Sequence, residues 1–294
     1  MPLLTTGLSG LVGSKLAQSY QDKYDFINLD TAHPIHPTDI TDLDQVKWAV
    51  SHSSAEFIIH FAAFTDVNKA WQDRDNKSGL TYQVNVGGTD NLVKAASEMN
   101  HHLIHISTAF VFDGDKPNLY QETDQPHPIE WYGQTKAWAE EIVQSADCPW
   151  TILRIDFPFR SDPFPRPDIV RKTLTAVDQG LPLFSNHFFG PTFIDDFVKV
   201  IDWVIRTKTR GLFHASSGES WSDYQLGQAI MTTLHRQNQI KSADLNQYLE
   251  TSDRPYQRNT ALDCSKLISM LDFPLTTINR ALKLVNFDHE KSSS

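Results

Sequence analysis

Cysteine is scarce in this sequence, which has only Cys148 and Cys264 among its 294 residues. Two thiols so far apart predict neither a disulfide framework nor a metal knuckle, and they favour a reducing cytoplasm. The sequence also lacks a run of about 18 apolar residues, so we expect no transmembrane helix. Its first residues, MPLLTTG, have neither a basic region nor a long apolar stretch, so we expect no signal peptide. These absences predict a cytoplasmic protein without a membrane partner.

Basic residues are fewer than acidic ones, with 26 Lys and Arg against 36 Asp and Glu and a formal net charge of −10. No basic block is present, which argues against a nucleic-acid partner. The 12 histidines do not indicate a metal site either. His102 and His105 would point to opposite faces of a strand, and His33 and His36 lie in a proline-rich loop. We therefore predict no bound metal.

Short apolar runs alternate with longer segments of helical period along much of the chain. The helical spacing is clearest at 10–20 and 84–99. Strands are predicted at 1–5, 26–29, 57–62, 103–106, 151–154 and 212–215. This alternation predicts an α/β fold, namely a Rossmann-type doubly wound parallel sheet covered by helices on both faces.

The regular pattern breaks near Asp156, where four prolines crowd the stretch FPFRSDPFPRPD. We therefore predict a dinucleotide-binding domain over residues 1–155, extended by a strand near 212–215. Residues 156–186 and 220–290 are predicted to build a smaller C-terminal α/β lobe that binds the substrate. A cleft between the two would hold that substrate.

The stretch TTGLSGLVGSKL carries three evenly spaced glycines, Gly7, Gly10 and Gly13, directly after the first predicted strand. A strand-to-helix turn in a parallel sheet can place backbone N–H groups and a helix N-terminus against a pyrophosphate. Glycine serves the tight turn, the close approach of the ligand and the close packing of helix on sheet. The spacing predicts a dinucleotide site, and a glycine-rich turn without a ligand is the alternative.

Two acidic residues refine this prediction. Asp30 ends the second predicted strand, where a carboxylate can accept hydrogen bonds from both hydroxyls of an adenosine ribose. The same charge repels a 2′-phosphate, and the adjacent Thr31 offers no cation, so NAD(H) is favoured and NADP(H) is the alternative. Asp39 is expected either at the adenine rim or, equally, at a helix N-cap.

A candidate catalytic group lies in YGQTK, where Tyr132 and Lys136 are spaced by one helical turn. An ammonium group near a phenol lowers the phenol pKa, which suits a general acid–base catalyst. Ser107 and Thr108 in HISTAFVFDG end a predicted strand, where such sheets bind ligands, although turn or cap hydroxyls are the alternative. Asn85 lies within a predicted helix, where an amide is unfavourable unless it bonds a specific partner.

Taken in order, these motifs resemble the extended short-chain dehydrogenase/reductase superfamily and, within it, the dTDP-4-dehydrorhamnose reductases. The resemblance extends over nearly the whole chain. It also rests on HFAAFTDVNKAW, VNVGGTDNLVKAA, FGPTFIDDF and RPYQRNTALDCSKL.

The resemblance implies an NAD(P)-dependent reductase of a nucleotide-linked 4-keto sugar, with Thr108, Tyr132 and Lys136 as the catalytic triad. Tyr132 would protonate the alkoxide as hydride arrives from nicotinamide, Lys136 would hold the nicotinamide ribose, and Asn85 would support Lys136. The implied cofactor contacts are Gly7, Ser9, Gly10, Leu11, Val12, Gly13, Asp30, Asp39, Ile40, Ala62, Ala63, Tyr132 and Lys136. The implied substrate contacts are Thr65, Thr108, Ala109, Phe110 and Phe157.

Three positions depart from the family pattern. Ala109 and Phe110 stand where these reductases usually have Asp and Tyr, and Phe157 stands where they have Trp. These changes remove a carboxylate, a phenol and an indole N–H from the expected sugar site, which predicts weaker selectivity or another substrate.

The same changes bear on the competing functions. They exclude a sugar dehydratase, which needs an acidic pair after the threonine. A nucleotide-sugar epimerase and a non-catalytic NAD(P)-binding regulatory subunit similar to the methionine adenosyltransferase β-subunit are the alternatives. The expected partners are a nucleotide sugar and a second copy of the chain in a homodimer.

Overall fold

The structure is a computed structural model that describes residues 1–31, 37–237 and 239–287. His33 and His36 lie outside the described residues. Within the described part of the chain, no helix is both long and apolar enough to cross a membrane.

The strands fall into one group of six long strands and several two-residue pairs. In chain order they are β1 (Pro2–Thr6), β2 (Asp25–Leu29), β3 (Phe57–His60), β4 (His102–Thr108), β5 (Trp150–Ile155), β6 (Pro158–Phe159), β7 (Leu183–Phe184), β8 (Phe188–Phe189), β9 (Thr192–Phe193), β10 (Gly211–His214), β11 (Trp221–Ser222) and β12 (Ser242–Ala243).

The helices include one π-helical turn at Gln83–Gly87 and one 3₁₀ turn at Ala109–Val111. The α-helices in chain order are α1 (Gly13–Tyr20), α2 (Leu43–Ser51), α3 (Val67–Gln72), α4 (Leu80–Tyr82), α5 (Gly88–Met99), α6 (Trp131–Gln144), α7 (Ile169–Asp178), α8 (Ile194–Thr207), α9 (Asp223–Thr233), α10 (Leu245–Leu249), α11 (Ser265–Ile268) and α12 (Ile278–Leu282).

The long strands form a six-stranded sheet in the order β10-β5-β4-β3-β1-β2. β1 pairs in parallel with β2 on one side and with β3 on the other, and Leu4 lies between Ile27 and Ile58. All four residues of β3 are buried, as expected for a parallel strand covered on both faces. The strand order reverses at β1, so the carboxyl ends of β1 and β3 border the crevice in which such sheets bind ligands. The predicted Rossmann-type fold is confirmed.

The chain divides into two compact units. Unit 1 comprises Met1–Phe112, Pro126–Arg154 and Ile201–Phe213, and unit 2 comprises Asp113–Gln125, Ile155–Val200 and the described residues from His214 onward. Residues 113–125, which the sequence-based division assigned to the first domain, therefore cluster with unit 2. The assignment of dinucleotide binding and substrate binding to separate domains stays a prediction.

Each unit has its own apolar core. In unit 1 the core joins sheet residues such as Leu4 and Ile58 to helix residues such as Leu92 and Ala96 of α5. In unit 2 it joins Phe159 and Phe189 to residues of α7, α9 and α12. The predicted helix over 10–20 begins only at Gly13, because the residues before it form the glycine turn.

Candidate active site

The glycines of the first turn lie where the end of β1 approaches the loop after β3 and the start of α1. Gly7 has a φ of +65°, and a Cβ atom added to it would lie 2.7 Å from the backbone N of Ala62. A Cβ atom at Gly13 would lie 2.7 Å from Leu8 Cα. Gly10 closes the turn by donating its N–H to the Gly7 carbonyl at 3.0 Å. Glycine is required for this left-handed residue and these close approaches, and such turns bring backbone N–H groups to a pyrophosphate.

The half-exposed Asp30 carboxylate lies beside this turn, just after β2. The Ser9 hydroxyl donates to Asp30 Oδ2 at 3.0 Å. Asn28 links the same parts of the chain, because its Oδ1 accepts from the Leu8 N–H at 3.2 Å and its Nδ2 donates to Asp30 Oδ2 at 3.4 Å. The structure therefore brings Asp30 to the glycine turn. The other predicted cofactor residues of the turn are partly exposed: Leu11 and Val12.

Asp39 lies in a turn of its own. Its Oδ1 accepts from the Thr41 N–H at 2.9 Å and from the Thr41 hydroxyl at 2.8 Å. The N-cap of α2 is Asp42, whose side chain accepts from the N–H groups of the first turn. The N-cap alternative for Asp39 is therefore wrong, because the helix begins three residues later than that alternative requires. Ile40 is buried and its carbonyl accepts from Asn91 Nδ2 at 2.9 Å.

The loop that follows β3 carries Ala62, Ala63 and Thr65, of which Thr65 is exposed and the alanines are half-buried. The Ala62 N–H donates to Thr6 Oγ1 at 3.2 Å. Thr6 Oγ1 is also hydrogen-bonded to His60 Nδ1 at 2.7 Å. These bonds fasten the loop to the carboxyl ends of β1 and β3, which is the edge where Rossmann-type sheets bind ligands.

Asn85 lies in the π-helical turn Gln83–Gly87, which the sequence did not predict. Its Oδ1 accepts from the Phe64 N–H at 2.7 Å, and its Nδ2 donates to the Phe64 carbonyl at 3.2 Å and to Thr135 Oγ1 at 3.0 Å. The amide thus ties the loop after β3 to α6, at the residue before Lys136. Single π-helical turns are frequent at functional sites. The predicted support of Lys136 itself stays a prediction.

Tyr132 lies in the first turn of α6 and is 9% exposed. The helix begins there because the Glu130 carboxylate accepts from the Tyr132 N–H at 2.8 Å and from the Gly133 N–H at 2.6 Å. Gly133 permits close packing, since a Cβ atom there would overlap the Phe110 carbonyl oxygen. The rings of Phe110 and Tyr132 meet edge to face with 5.9 Å between their centroids.

Thr108 is the last residue of β4 and is buried. Its Oγ1 accepts from the Phe110 N–H at 3.2 Å, which caps the 3₁₀ turn Ala109–Val111. Because Phe110 packs on Tyr132, this cap brings Thr108 and the start of α6 to the same edge of the sheet. Ala109 is completely buried and Phe110 is half-buried. Ala109 and Phe110 both depart from the family pattern, and of these two side chains that of Phe110 is partly exposed.

The Lys136 side chain is directed from α6 toward β4. Its Nζ donates to His105 Nε2 at 3.0 Å and to the Ile106 carbonyl at 2.9 Å. Burial lowers the pKa of Lys136 to about 8, and the nearby Glu140 carboxylate opposes this effect. Lys136 is therefore a buried ammonium group at neutral pH, as a residue that favours the phenolate form of Tyr132 has to be.

Ser107 belongs to a buried charged cluster. Its hydroxyl donates to Glu140 Oε1 at 2.5 Å, and Arg154 donates to both oxygens of the same carboxylate. Neighbouring residues of a strand point to opposite faces. Ser107 therefore anchors β4 to α6 through Glu140, while Thr108 caps the turn that follows.

Phe157 and Asp156 lie in unit 2. Phe157 has a φ of +35°, a strained value for a bulky residue, and its ring is 4.6 Å from that of Phe189. The Asp156 carboxyl is buried and accepts from the Gly190 N–H and the Thr260 hydroxyl, each at 2.8 Å. Burial raises the pKa of Asp156 to about 8, although these bonds and the Phe157 N–H oppose the shift.

Arg154, Glu140 and Asp156 were not among the site residues predicted from the sequence, although a local sequence feature points to the first two. Arg154 is a charged residue inside the apolar strand WTILRI, which is a sign of a buried ion pair. Glu140 follows Lys136 by one helical turn and is its natural neighbour. The local sequence around His105 gives no indication of its bond to Lys136, and nothing in the local sequence distinguishes Asp156.

The residues of unit 1 fit a dinucleotide. Side-chain atoms at Gly7 and Gly13 would fill the space beside the turn, and Asp30 supplies a carboxylate suited to ribose hydroxyls. Among the residues that the structure describes, no group of three His, Cys, Asp or Glu side chains could hold a metal ion.

Comparisons with known proteins place the chain in a family. A family model described as "RmlD substrate binding domain" matches residues 1–289. The chain is 28% identical over 296 residues to a dTDP-4-dehydrorhamnose reductase of Aggregatibacter actinomycetemcomitans, with 96% of this chain and 97% of that protein covered. It is 27% identical over 290 residues to methionine adenosyltransferase 2 subunit beta of Mus musculus, with 90% and 81% covered.

A solved structure shows the same fold. The crystal structure of a dTDP-4-dehydrorhamnose reductase from Bacillus anthracis in complex with NADP has a TM-score of 0.85 at 23% identity, with 96% of this chain and 97% of that chain covered. This protein belongs to the RmlD substrate binding domain family, and the resemblance drawn from its sequence motifs is confirmed.

Proposed function

We propose that this protein is an NAD(P)H-dependent reductase of a nucleotide-linked 4-keto sugar. The observation that carries the proposal is the arrangement at one edge of the sheet. Thr108 ends β4, Tyr132 lies in the first turn of α6 with its ring against Phe110, and the buried Lys136 ammonium group follows one turn later. A hydroxyl, a phenol and an ammonium group in this order are what proton delivery to a carbonyl oxygen requires.

Each residue has a defined role in this proposal. A bound nicotinamide cofactor supplies the hydride. Tyr132 gives its phenolic proton to the sugar oxygen as negative charge develops there, and Thr108 donates a hydrogen bond to the same oxygen. Lys136 donates to the ribose hydroxyls and stabilises the phenolate that remains on Tyr132. Asn85 keeps the loop after β3 fixed to α6.

The cofactor preference follows from the glycine turn. We propose that NADH binds more tightly than NADPH, because Asp30 lies beside Ser9 with its carboxylate half-exposed. A 2′-phosphate would lie close to that negative charge. Lys15, two residues after Gly13, is the cation that would favour NADPH. The NADP in the Bacillus anthracis relative is the reason to measure both cofactors.

The substrate class comes from the family, while the sugar depends on residues that differ in this chain. The relative from Aggregatibacter is a dTDP-4-dehydrorhamnose reductase. Phe110 and Phe157 contribute no hydrogen-bonding side-chain atom, so we propose a sugar site that is less polar than is usual in these reductases. Residues 156–186 and 220–290 would bind the sugar nucleotide. The cytoplasmic location and the homodimer are further predictions.

One assay tests the proposal. NADH and NADPH oxidation would be followed with a panel of nucleotide-linked 4-keto sugars, including dTDP-4-dehydrorhamnose. We expect turnover with at least one of them. Interconversion of sugar epimers without net cofactor oxidation would replace the proposal with an epimerase. Cofactor binding without any turnover, together with binding to a methionine adenosyltransferase, would replace it with a regulatory subunit; the mouse relative is methionine adenosyltransferase 2 subunit beta.

A further inference from the structure

We propose that His105 is a positioning residue that fixes the Lys136 ammonium group at the candidate active site. The inference rests on the proposed function, because that function gives Lys136 its role toward the cofactor. It concerns a histidine in the middle of β4 to which the proposed function gives no role.

The contacts of Lys136 carry the inference. An ammonium group has three N–H donors. One donates to His105 Nε2 at 3.0 Å and another to the Ile106 carbonyl at 2.9 Å, so neighbouring residues of one strand hold the Nζ atom. The proposed function assigns the third donor to the ribose. Two fixed bonds define the direction of the third, so His105 determines where that donor points.

His105 can accept this bond only as a neutral imidazole. With Nε2 as the acceptor, the ring proton is on Nδ1, which has no hydrogen-bond partner among the described residues. The residue is completely buried, and burial, the Lys136 charge and His60 lower the pKa of His105 well below its ordinary value. A cationic imidazole here would lie against the Lys136 ammonium group and break the bond. The site is therefore built for a neutral acceptor.

The other groups around Lys136 do not replace His105. Glu140, one turn later on α6, supplies a negative charge, but its oxygens already accept from Ser107 and Arg154. His60 on β3 lies with its ring 5.1 Å from that of His105, and burial, followed by the Lys136 charge, lowers the pKa of His60 to about 3.

Tyr132 is the remaining titratable neighbour of Lys136 on α6. Within this set of neighbours, His105 is therefore the side chain that accepts a hydrogen bond from Lys136.

The test compares three variants by the pH dependence of NADH binding. His105→Gln keeps a hydrogen-bond acceptor, the amide oxygen, about as far from the backbone as His105 Nε2. His105→Leu removes the acceptor. His102→Leu is the matched control, because His102 is also a buried histidine of β4, 4% exposed, whose Nε2 bonds Thr151 Oγ1 at 2.8 Å instead of Lys136. In the wild type we expect NADH affinity to fall as pH rises through about 8, where Lys136 loses its proton.

In His105→Leu this midpoint should move down by about one pH unit, because the ammonium form has lost a charge-assisted bond. His105→Gln and His102→Leu should keep the wild-type midpoint. The same midpoint in His105→Leu as in the wild type would overturn the inference while leaving the proposed reductase intact. Failure of the wild type to bind either dinucleotide would instead remove the proposed function.

A second measurement needs neither a folded His105 variant nor a cofactor. The ¹⁵N chemical shifts of the histidine side chains distinguish an Nδ1–H tautomer from an Nε2–H tautomer. We expect His105 in the wild type to be the Nδ1–H form, with an Nε2 shift that changes in Lys136→Met. An Nε2–H tautomer in the wild type would contradict the inference.

Discussion

Glu140 and Arg154 form a two-point ion pair in the interior of unit 1. Arg154 Nε donates to Glu140 Oε1 at 2.9 Å, and Arg154 Nη2 donates to Oε2 at 2.6 Å. The side chains are 1% and 2% exposed, respectively. Because Ser107 donates to the same carboxylate, the pair holds α6, β5 and the end of β4 together directly beside Thr108.

Removing one member of this pair should destabilise the protein strongly. Arg154→Met leaves the buried Glu140 carboxylate without the cation that is hydrogen-bonded to both of its oxygens, which costs about 3–5 kcal/mol of unfolding free energy. The double variant Arg154→Met with Glu140→Leu should recover much of that loss, because the carboxylate that has lost its Arg154 partner is also removed. Chemical denaturation of the two single variants, Arg154→Met and Glu140→Leu, and of the double variant checks this. A double variant as unstable as the sum of the single variants would contradict the prediction.

Tyr132→Phe should separate chemistry from binding. The variant should lower reductase turnover by about two to four powers of ten, the usual contribution of a general acid, and leave NADH affinity nearly unchanged. Lys136→Ala should lower both, because Lys136 is proposed to bind ribose as well. Steady-state kinetics and a cofactor titration measure the two effects. If Tyr132→Phe kept wild-type turnover with the accepted sugar, Tyr132 would not be the proton donor.

Asp30→Ala should narrow the difference in affinity between NADH and NADPH. The variant removes the negative charge that would face a 2′-phosphate, an effect of ~1 kcal/mol or more for a partly exposed carboxylate. Asp25→Ala is the matched control, since Asp25 is exposed at the opposite end of β2. Titration with both cofactors is the measurement. An equal shift in both variants would show that net charge, and not the position of Asp30, sets the preference.

Gly7→Ala should be more harmful than Gly10→Ala. Gly7 has a φ of +65°, and a Cβ atom added to it would lie 2.7 Å from the Ala62 backbone N. A Cβ atom at Gly10 would approach the Gly7 carbonyl oxygen at the less severe distance of 3.2 Å. The strained backbone alone costs about 1–3 kcal/mol. We expect Gly7→Ala to lower both unfolding free energy and dinucleotide affinity. Equal unfolding midpoints for the two variants would show that the turn adapts without strain.

The buried Asp156 carboxyl should make stability depend on pH. Burial raises its folded-state pKa to about 8, above the ~3.9 of an unfolded chain. Its contribution is therefore complete below about pH 4 and is lost as the pH rises to about 8, at up to ~1.4 kcal/mol per pH unit. Asp156→Asn cannot ionise and keeps an acceptor for Gly190 and Thr260. Denaturation from pH 5 to pH 8 should show the wild type losing stability relative to Asp156→Asn, and parallel curves would refute this.

Local patterns predicted the sheet well, because each strand is marked by a short apolar run of a few consecutive residues. The predicted strand at 103–106 extends over His102–Thr108, and that at 212–215 overlaps Gly211–His214. The predicted helix over 84–99 was correct in its extent but not in its first turn. There Asn85 lies in a π-helical turn, and its side-chain amide is hydrogen-bonded to Phe64, 21 residues away. Periodicity does not contain that information.

The local sequence is sufficient to specify the glycine turn, the position of Thr108 at the end of a strand and the spacing of Tyr132 and Lys136 on one helix. These features follow from steric limits and periods that act within a few residues. The folded chain was needed to show that Lys136 bonds His105, 31 residues away, and that Asp156 bonds Thr260, 104 residues away. Such pairs depend on strand order, register and burial, which belong to the folded chain as a whole.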